Sequence, residues 1–343
     1  SSKDGFISPD SESFEGNKPE ANWVWDSGDP NPKNYYLHIR KNFRLYNPTK
    51  EAKAYVSAFS FAELYINGVY IDRIPTNPDP EYQTYEEIDI SPYLKLGENT
   101  IAALVYNVGE GLHHRMNGKG GFFFQSKIID FKKKIITLNS DKSWLVAKAI
   151  AWENKTDHRQ IDHTIGRKEK YDARLEYDGW EQNHFNDSNW ENATEIGVPP
   201  IDPWNKIVVI NRERTFFKNI TPERKWIRNG LHIYDFGKAI TAYPRFVANS
   251  SKSGLTFEIG TAETLAKDSI PLTTDNVNYI DFYITKKGLQ SWNPITWRSF
   301  RYLAIKENKE VKIEKVSAEF RSFPVKNRGY FLCSDSLLND IWE

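Results

Sequence analysis

A single cysteine, Cys333, stands in the whole sequence, so no disulfide can form within the chain. Neither charge dominates: 46 basic side chains face 46 acidic ones. That balance gives no general pull toward nucleic acid or an anionic membrane. No apolar run approaches the length of a membrane span. The opening Ser1-Ser-Lys-Asp-Gly lacks an apolar targeting core, so any signal peptide is expected to have been removed already. No phosphate loop, Cys-x-x-Cys pair or Ser-His-Asp order is present. His113 and His114 are adjacent, so in a strand their rings point apart and do not share an ion. No metal site is therefore expected.

What is abundant is aromatic: 11 Trp, 18 Tyr and 20 Phe in 343 residues. Bulky rings among many turn residues suit a β-rich protein, and the length suffices for two domains with a core each. Residues 1–22 are polar and predict a loose arm. Strands are predicted at Tyr35–Phe43 and at Ala52–Phe59, where Ala52, Ala54, Val56 and Ala58 share one face. Asn67-Gly68 between two apolar runs marks a hairpin, because both turn positions need φ > 0. Leu96–Tyr106 reads as a turn and a buried strand, Gly120–Ser126 and Lys134–Leu138 as further strands. Residues 23–200 thus predict an antiparallel jelly roll.

The stretch Gly166–Asn192 separates two units. Tyr171, Ala173, Leu175 and Tyr177 alternate with Asp172, Arg174, Glu176 and Asp178, which predicts a strand closed by Gly179. Arg174 can fork to a carboxylate two residues away. Asn186–Asn189 predicts a turn bonded by its own side chains, with Trp190 as an aromatic plug. Three prolines between Val198 and Trp204 suggest a linker, and residues 201–328 a second antiparallel sandwich, with strands that include His232–Phe236 and Tyr243–Ala248. From residue 329 the period changes: Leu337, Leu338, Ile341 and Trp342 fall on one helical face behind Ser334 as N-cap.

These segments carry a resemblance. Tyr171-Asp-Ala-Arg-Leu-Glu176 with the Phe185-x-Asp-Ser-x-Trp190 turn, Tyr234-Asp-Phe-Gly-Lys-Ala, Thr261-Ala-Glu-Thr-Leu and Trp297-Arg-Ser-Phe-Arg-Tyr302 resemble, in order and spacing, markers of the bacterial α-L-rhamnosidases, glycoside hydrolase family 78. The resemblance covers roughly residues 30–343. It implies an all-β region: a galactose-binding-like jelly roll over 23–200, a concanavalin-like sandwich over 201–328, and over 329–343 the start of a helical (α/α)6 barrel that holds the catalytic carboxylates. It also implies an inverting hydrolase of terminal L-rhamnose, exported to the periplasm or cell surface.

Catalysis would then belong to the helical domain, so no catalytic residue is expected here. None of Asp235, Glu258, Glu263, Asp268, Asp275 and Asp281 forms a pairing that the sequence certifies as an acid and base. Glu263 and Arg298 read as strand-edge or interdomain ion-pairing groups. The expected carbohydrate contact is the Gly-rich loop Asn107–Gly121 at the sandwich rim. Glu110, His113, His114 and Arg115 would hydrogen-bond hydroxyls and Trp152 would stack on a ring; the plainer alternative is a solvated loop. Related modules in some members of the family bind rhamnose through calcium, but no ligands for it are assignable. Two alternatives stay open: a stand-alone carbohydrate-binding protein, and an accessory module of another glycoside hydrolase such as a β-galactosidase.

Overall fold

The computed structural model describes residues 19–74, 79, 81–112, 117–159, 166–209, 216–266, 273–274, 277–306, 308–322 and 329–342. Among these residues the first unit is two facing sheets. One carries Trp23–Trp25, Thr49–Phe59, Tyr82–Asp89, Gly121–Asp130, Ile135–Asn139, Thr194–Gly197 and Lys206–Val209; the other carries Tyr35–Leu45, Phe61–Ile66, Val69–Ile74, Gly97–Asn107, Leu145–Lys148 and Glu191–Asn192. Ala52, Ala54, Val56 and Ala58 are all fully buried, as their alternation predicts. They meet Leu37, Ile39, Leu64, Ile101, Ala103 and Val105 from the facing sheet. Asn67 and Gly68 take φ of 52° and 80°, closing the hairpin that the dipeptide signals.

Among the described residues the second unit is a nine-stranded sheet curled on itself, with a separate two-stranded pair at Thr273–Thr274 and Val277–Asn278. Its axis is Leu231–Ser250, one strand of 20 residues where the sequence suggests two. Its first half pairs with Arg224–Arg228 and Arg298–Lys306, its second with Gly288–Trp292 and Val311–Ser322. The strand therefore passes from one layer to the other. Phe246 on the second half packs against Phe257 and Tyr283 of the opposite layer, with ring centroids 5.1 and 5.0 Å away.

The bend falls at an irregularity between Asp235 and Ile240, where Gly237 has φ 81°. Asp235 is fully buried there. It accepts from Arg301 Nε at 2.9 Å, Arg224 Nη2 at 2.6 Å and Gly237 N at 2.8 Å. Arg301 is the main cause that holds its carboxyl down at about 2, against the push of burial. The unfolded value lies near ~3.9. A depressed folded value contributes stability above the unfolded one, and that contribution drains away as pH falls from about 4 to about 2. Asp235→Asn is expected to lower the urea midpoint at neutral pH and to flatten its decline across that window. Parallel acid limbs for the two proteins would contradict this.

The structure revises several expectations. Residues 19–22 are not loose: Glu20 N and Ala21 N both donate to Gln125 Oε1, at 2.7 and 3.1 Å. The proline-rich segment is no linker either. Trp204 is fully buried and stacks on Trp23 at 4.1 Å, and Lys206–Val209 then adds a parallel strand to the first sandwich. The alternating stretch makes a strand only over Lys170–Asp172, and that strand pairs with Ile280–Ile284 in the second unit's sheet. From Ala173 the chain turns, because Asp172 caps it: Arg174 N donates to Asp172 Oδ1 at 3.1 Å. Arg174 does fork as expected, Nε and Nη2 reaching Asp172 at 2.9 and 2.7 Å.

Candidate functional site

The two sandwiches share one core. On Gly97–Asn107 the residues facing away from the first core are Ala102, Leu104 and Tyr106, and all are buried. With Tyr36, Phe61 and Trp152 they pack against Tyr171, Tyr283, Trp292 and Phe246. A sheet with apolar residues on both faces needs cover on both, and here the second sandwich supplies it. Trp152 is central: its ring stacks on Tyr36 at 4.9 Å and contacts Tyr171 and Trp292 at 5.0 and 6.0 Å. The expectation that Trp152 stacks on a sugar therefore does not fit. Its faces are occupied by protein, because it lies on the junction of the sandwiches and not at the rim.

Charged side chains fringe this core. Glu169, Asp281, Arg159 and Arg298 are all buried. Arg298 donates through Nη2 to Glu169 Oε1 at 2.9 Å and to Asp281 Oδ2 at 2.8 Å, and Arg159 donates to Asp281 Oδ1. The remaining acceptors are met by backbone: Ile295 N and Thr296 N donate to Glu169 at 2.8 and 3.1 Å, and Glu169 N donates to Asp281 Oδ1 at 2.8 Å. Burial pushes the Asp281 carboxyl up, but the two guanidinium groups outweigh it and hold it below its ordinary value. Arg159 is pushed down by burial and by Arg298, whereas Arg298, bracketed by two carboxylates, is raised despite burial. On the other side of Ile295, whose N–H meets Glu169, Arg73 donates to Ile295 O and to Glu63 and lies 3.8 Å from the Tyr243 ring centroid, while Arg321 bonds Asp72 at 3.0 Å.

Both carboxylates are buried and share one guanidinium, with backbone amides on their other lone pairs. That leaves neither of them open to a substrate, as an acid and base must be. Arg298 thus does the interdomain pairing expected of it. Glu263 does not join it and instead accepts from the Ser299 hydroxyl at 2.6 Å. Asp268 and Asp275 lie outside the described residues. Glu169 and Arg159 escaped sequence reasoning, since nothing local distinguishes them; only the parallel pairing of Lys170–Asp172 brings Glu169 to Arg298.

The rim loop is pinned at its start. Gly109 has φ 63°, and a Cβ there would sit 2.0 Å from Pro32 O, so no other residue fits. Glu110 follows, and its carboxylate accepts from Arg167 Nε and Nη2 at 2.9 and 3.1 Å and contacts His158 Nε2 at 3.0 Å. Burial raises its carboxyl, but Arg167 and His158 prevail and hold it below the ordinary carboxylate value. The expected companions His113, His114 and Arg115 lie outside the described residues. Among the described residues no group of three or more His, Cys, Asp or Glu side chains is placed to hold a metal ion. No helix there is long and apolar enough to cross a membrane.

At its far end the chain forms the helix Ser336–Trp342. Its cap is Asp335 and not Ser334: Leu337 N and Leu338 N donate to Asp335 Oδ1 at 2.9 and 3.4 Å. Leu337, Leu338, Ile341 and Trp342 are 64%, 49%, 70% and 55% exposed, so the apolar face is bare.

Comparison with known proteins agrees with this architecture. Residues 47–210 match the alpha-L-rhamnosidase N-terminal domain, and residues 225–322 the bacterial alpha-L-rhamnosidase concanavalin-like domain. An alpha-L-rhamnosidase of Formosa agariphila is 27% identical over 281 residues, covering 78% of this chain and 29% of that protein. One from an Alteromonas species is 24% identical over 335 residues, covering 89% and 34%. The chain therefore spans about a third of the length of these curated relatives. Among solved structures, alpha-L-rhamnosidase from Dictyoglumus thermophilum superposes with TM-score 0.75 at 25% identity, over 94% of this chain and 38% of that one. A GH78 family rhamnosidase of Bacillus sp. GL1 gives TM-score 0.84 at 15% identity, over 96% and 57%, a likeness of fold. With two successive modules matched in order, the chain belongs to the bacterial α-L-rhamnosidase family, as its paired N-terminal and concanavalin-like β-sandwiches.

Proposed function

We propose that this chain is the non-catalytic N-terminal region of a glycoside hydrolase that removes terminal α-L-rhamnose from a polysaccharide or glycoside outside the cytoplasm. The fused core makes the two sandwiches a rigid platform, and their role in this reading is to brace a helical catalytic domain. The observation that carries it is the bare apolar face of the helix Ser336–Trp342. A helix of two turns is marginal alone, and four large apolar side chains in water favour burial against neighbouring helices. The interdomain carboxylates, locked to arginines, support a division in which the reacting acids lie elsewhere. Within the platform the rim loop is the sugar contact we assign, with Glu110, His113, His114 and Arg115 as the residues that would hydrogen-bond the sugar hydroxyls.

The chain alone is expected to give no turnover of an aryl α-L-rhamnoside. Joined to a helical domain it should release rhamnose with inverted configuration. Turnover by the sandwiches alone would sink the division of labour. Calorimetry with rhamnose, with and without calcium, tests the rim loop separately; silence in both would remove that assignment and leave the scaffold reading intact.

A further inference from the structure

The jelly roll has a second end that the preceding sites do not use. The rim loop leaves where Tyr35 pairs with Asn107; at the opposite end Leu45 pairs with Gly97. The two are an eleven-residue strand apart, roughly 33 Å. Three turns converge at the far end. Tyr46–Pro48 follows Leu45, Leu94–Leu96 precedes Gly97, and Phe131–Lys134 joins Gly121–Asp130 to Ile135–Asn139. Phe131 N donates to Pro48 O at 3.2 Å and Asn47 Nδ2 to Asp130 Oδ2 at 2.8 Å, so the first and third turns abut.

These turns expose what a sandwich normally hides. Tyr46, Phe131 and Leu96 are 75%, 68% and 62% exposed. Lysines surround them: Lys50, Lys95, Lys132, Lys133 and Lys134 are all exposed. The ion-paired lysines among the described residues lie elsewhere, as at Lys53, Lys119 and Lys306. The nearby acids are mostly engaged. Glu98 pairs with Arg44 at 2.6 Å, and Asp130 accepts from Asn47 and, at 2.8 Å, from Lys134 N. Glu51 and Asp130, the latter drawn to Lys132, are left to oppose five ammonium groups, so a positive surplus remains. In a chain whose total charge cancels, this is a local accumulation of positive charge around two exposed aromatic rings, and Arg44 adds to it over one face of Tyr46, 5.9 Å from the ring centroid.

We propose that this end of the jelly roll is a docking surface for an acidic polysaccharide that carries uronate carboxylates. Sugar C–H faces would lie on Tyr46 and Phe131, and carboxylates would meet the lysines. The charge complementarity selects the anion; the exposed rings can stack on sugar C–H faces, and the reading of the chain as part of a glycan-processing enzyme favours a polysaccharide over a lipid surface. The proposal rests on the reading of this chain as part of a glycan-processing enzyme. It makes the region a tether that keeps the enzyme on its polymer, well away from the rim loop.

The test is affinity electrophoresis of the full chain through gels containing polygalacturonate, with neutral dextran as control. Retardation is expected in polygalacturonate only, and it should weaken as salt is raised. Tyr46→Ala with Phe131→Ala should reduce the affinity roughly tenfold, and Lys95→Glu with Lys132→Glu should do at least as much. All four side chains are exposed, so unchanged melting temperatures verify that the variants fold. Equal mobility in both gels, or retardation that survives either pair of substitutions, overturns the proposal. So does equal binding to vesicles of phosphatidylglycerol that the aromatic pair does not affect, since that would be capture by charge alone. No hydrolysis enters this readout. Turnover by the isolated chain would sink the scaffold reading without touching it, and absence of retardation would sink the docking surface without touching the scaffold.

Discussion

Replacing Arg298 by Met is expected to lower the unfolding free energy by about 3–5 kcal/mol, the cost of leaving partners of a buried ion pair uncompensated. Arg298 is the group that Glu169 and Asp281 share. Without it, Glu169 keeps its backbone donors but no ion-pair partner in contact, and Asp281 keeps Arg159 and the Glu169 amide. A domain is typically stable by about 5–15 kcal/mol, so the loss is a large fraction of the total. The pH dependence gives a second signature. In the variant, Asp281 loses one of the two guanidinium groups that hold it below its ordinary value, so its folded pKa rises relative to the parent. A raised carboxyl binds its proton more tightly in the folded state, so the deficit should shrink as pH falls through the new folded value. Denaturant midpoints for both proteins at neutral and mildly acidic pH check this. A variant within about 0.5 kcal/mol of the parent at neutral pH, the range of ordinary surface substitutions, would show that the cluster is not what joins the sandwiches.

Trp152→Ala is expected to cost a similar amount, about 3–5 kcal/mol, as a large aromatic is removed from a packed core. Its ring touches Tyr36 from the first sandwich, and Tyr171 and Trp292 on the side of the second. The void would open between the two units and not inside either one, so the consequence is for cooperativity as well as for stability. Calorimetry of the parent chain should show one transition, since the units share a continuous core. The variant should show two, the second sandwich separating before the first melts. A stable, single-transition variant would mean that the tryptophan contributes little to the junction. The same result together with weaker rhamnose binding would restore it to the role that the sequence first suggested.

That reversal for Trp152 shows where sequence reasoning stops. A tryptophan just beyond a strand reads equally well as core or as ligand platform, because its large apolar face suits both and its neighbours are apolar on one side, Ile150-Ala151, and polar on the other, Glu153-Asn154. Glu169 is similar: a glutamate between lysines looks solvated, yet it is buried among two backbone amides and a guanidinium. Each outcome depends on which distant surface arrives over the residue. The stretch after Lys170 failed differently. Its two-residue period was real, but Asp172 bonding the amide of Arg174 offered the backbone a turn that competes with the strand. Likewise the prolines near Trp204 suggested a spacer because chain stiffness was visible and the waiting partner, Trp23, was not.

Patterns closed within a few residues were legible. The alternation of Ala52, Ala54, Val56 and Ala58, the φ demands of Asn67-Gly68, and the helical spacing of Leu337, Leu338, Ile341 and Trp342 all specify geometry through neighbours in the chain. So the sequence by itself determined that the chain is built of antiparallel sandwiches, that Ala52, Ala54, Val56 and Ala58 line the interior of the first, and that an apolar helical face follows them. Only the tertiary structure decided that the two sandwiches have one core between them, that their carboxylates are committed to arginines, and that lysines and open rings gather at the far end of the jelly roll. The physical reason is range. Backbone hydrogen bonding and side-chain period act over a few residues, whereas burial and electrostatic pairing depend on surfaces brought together from more than a hundred residues away.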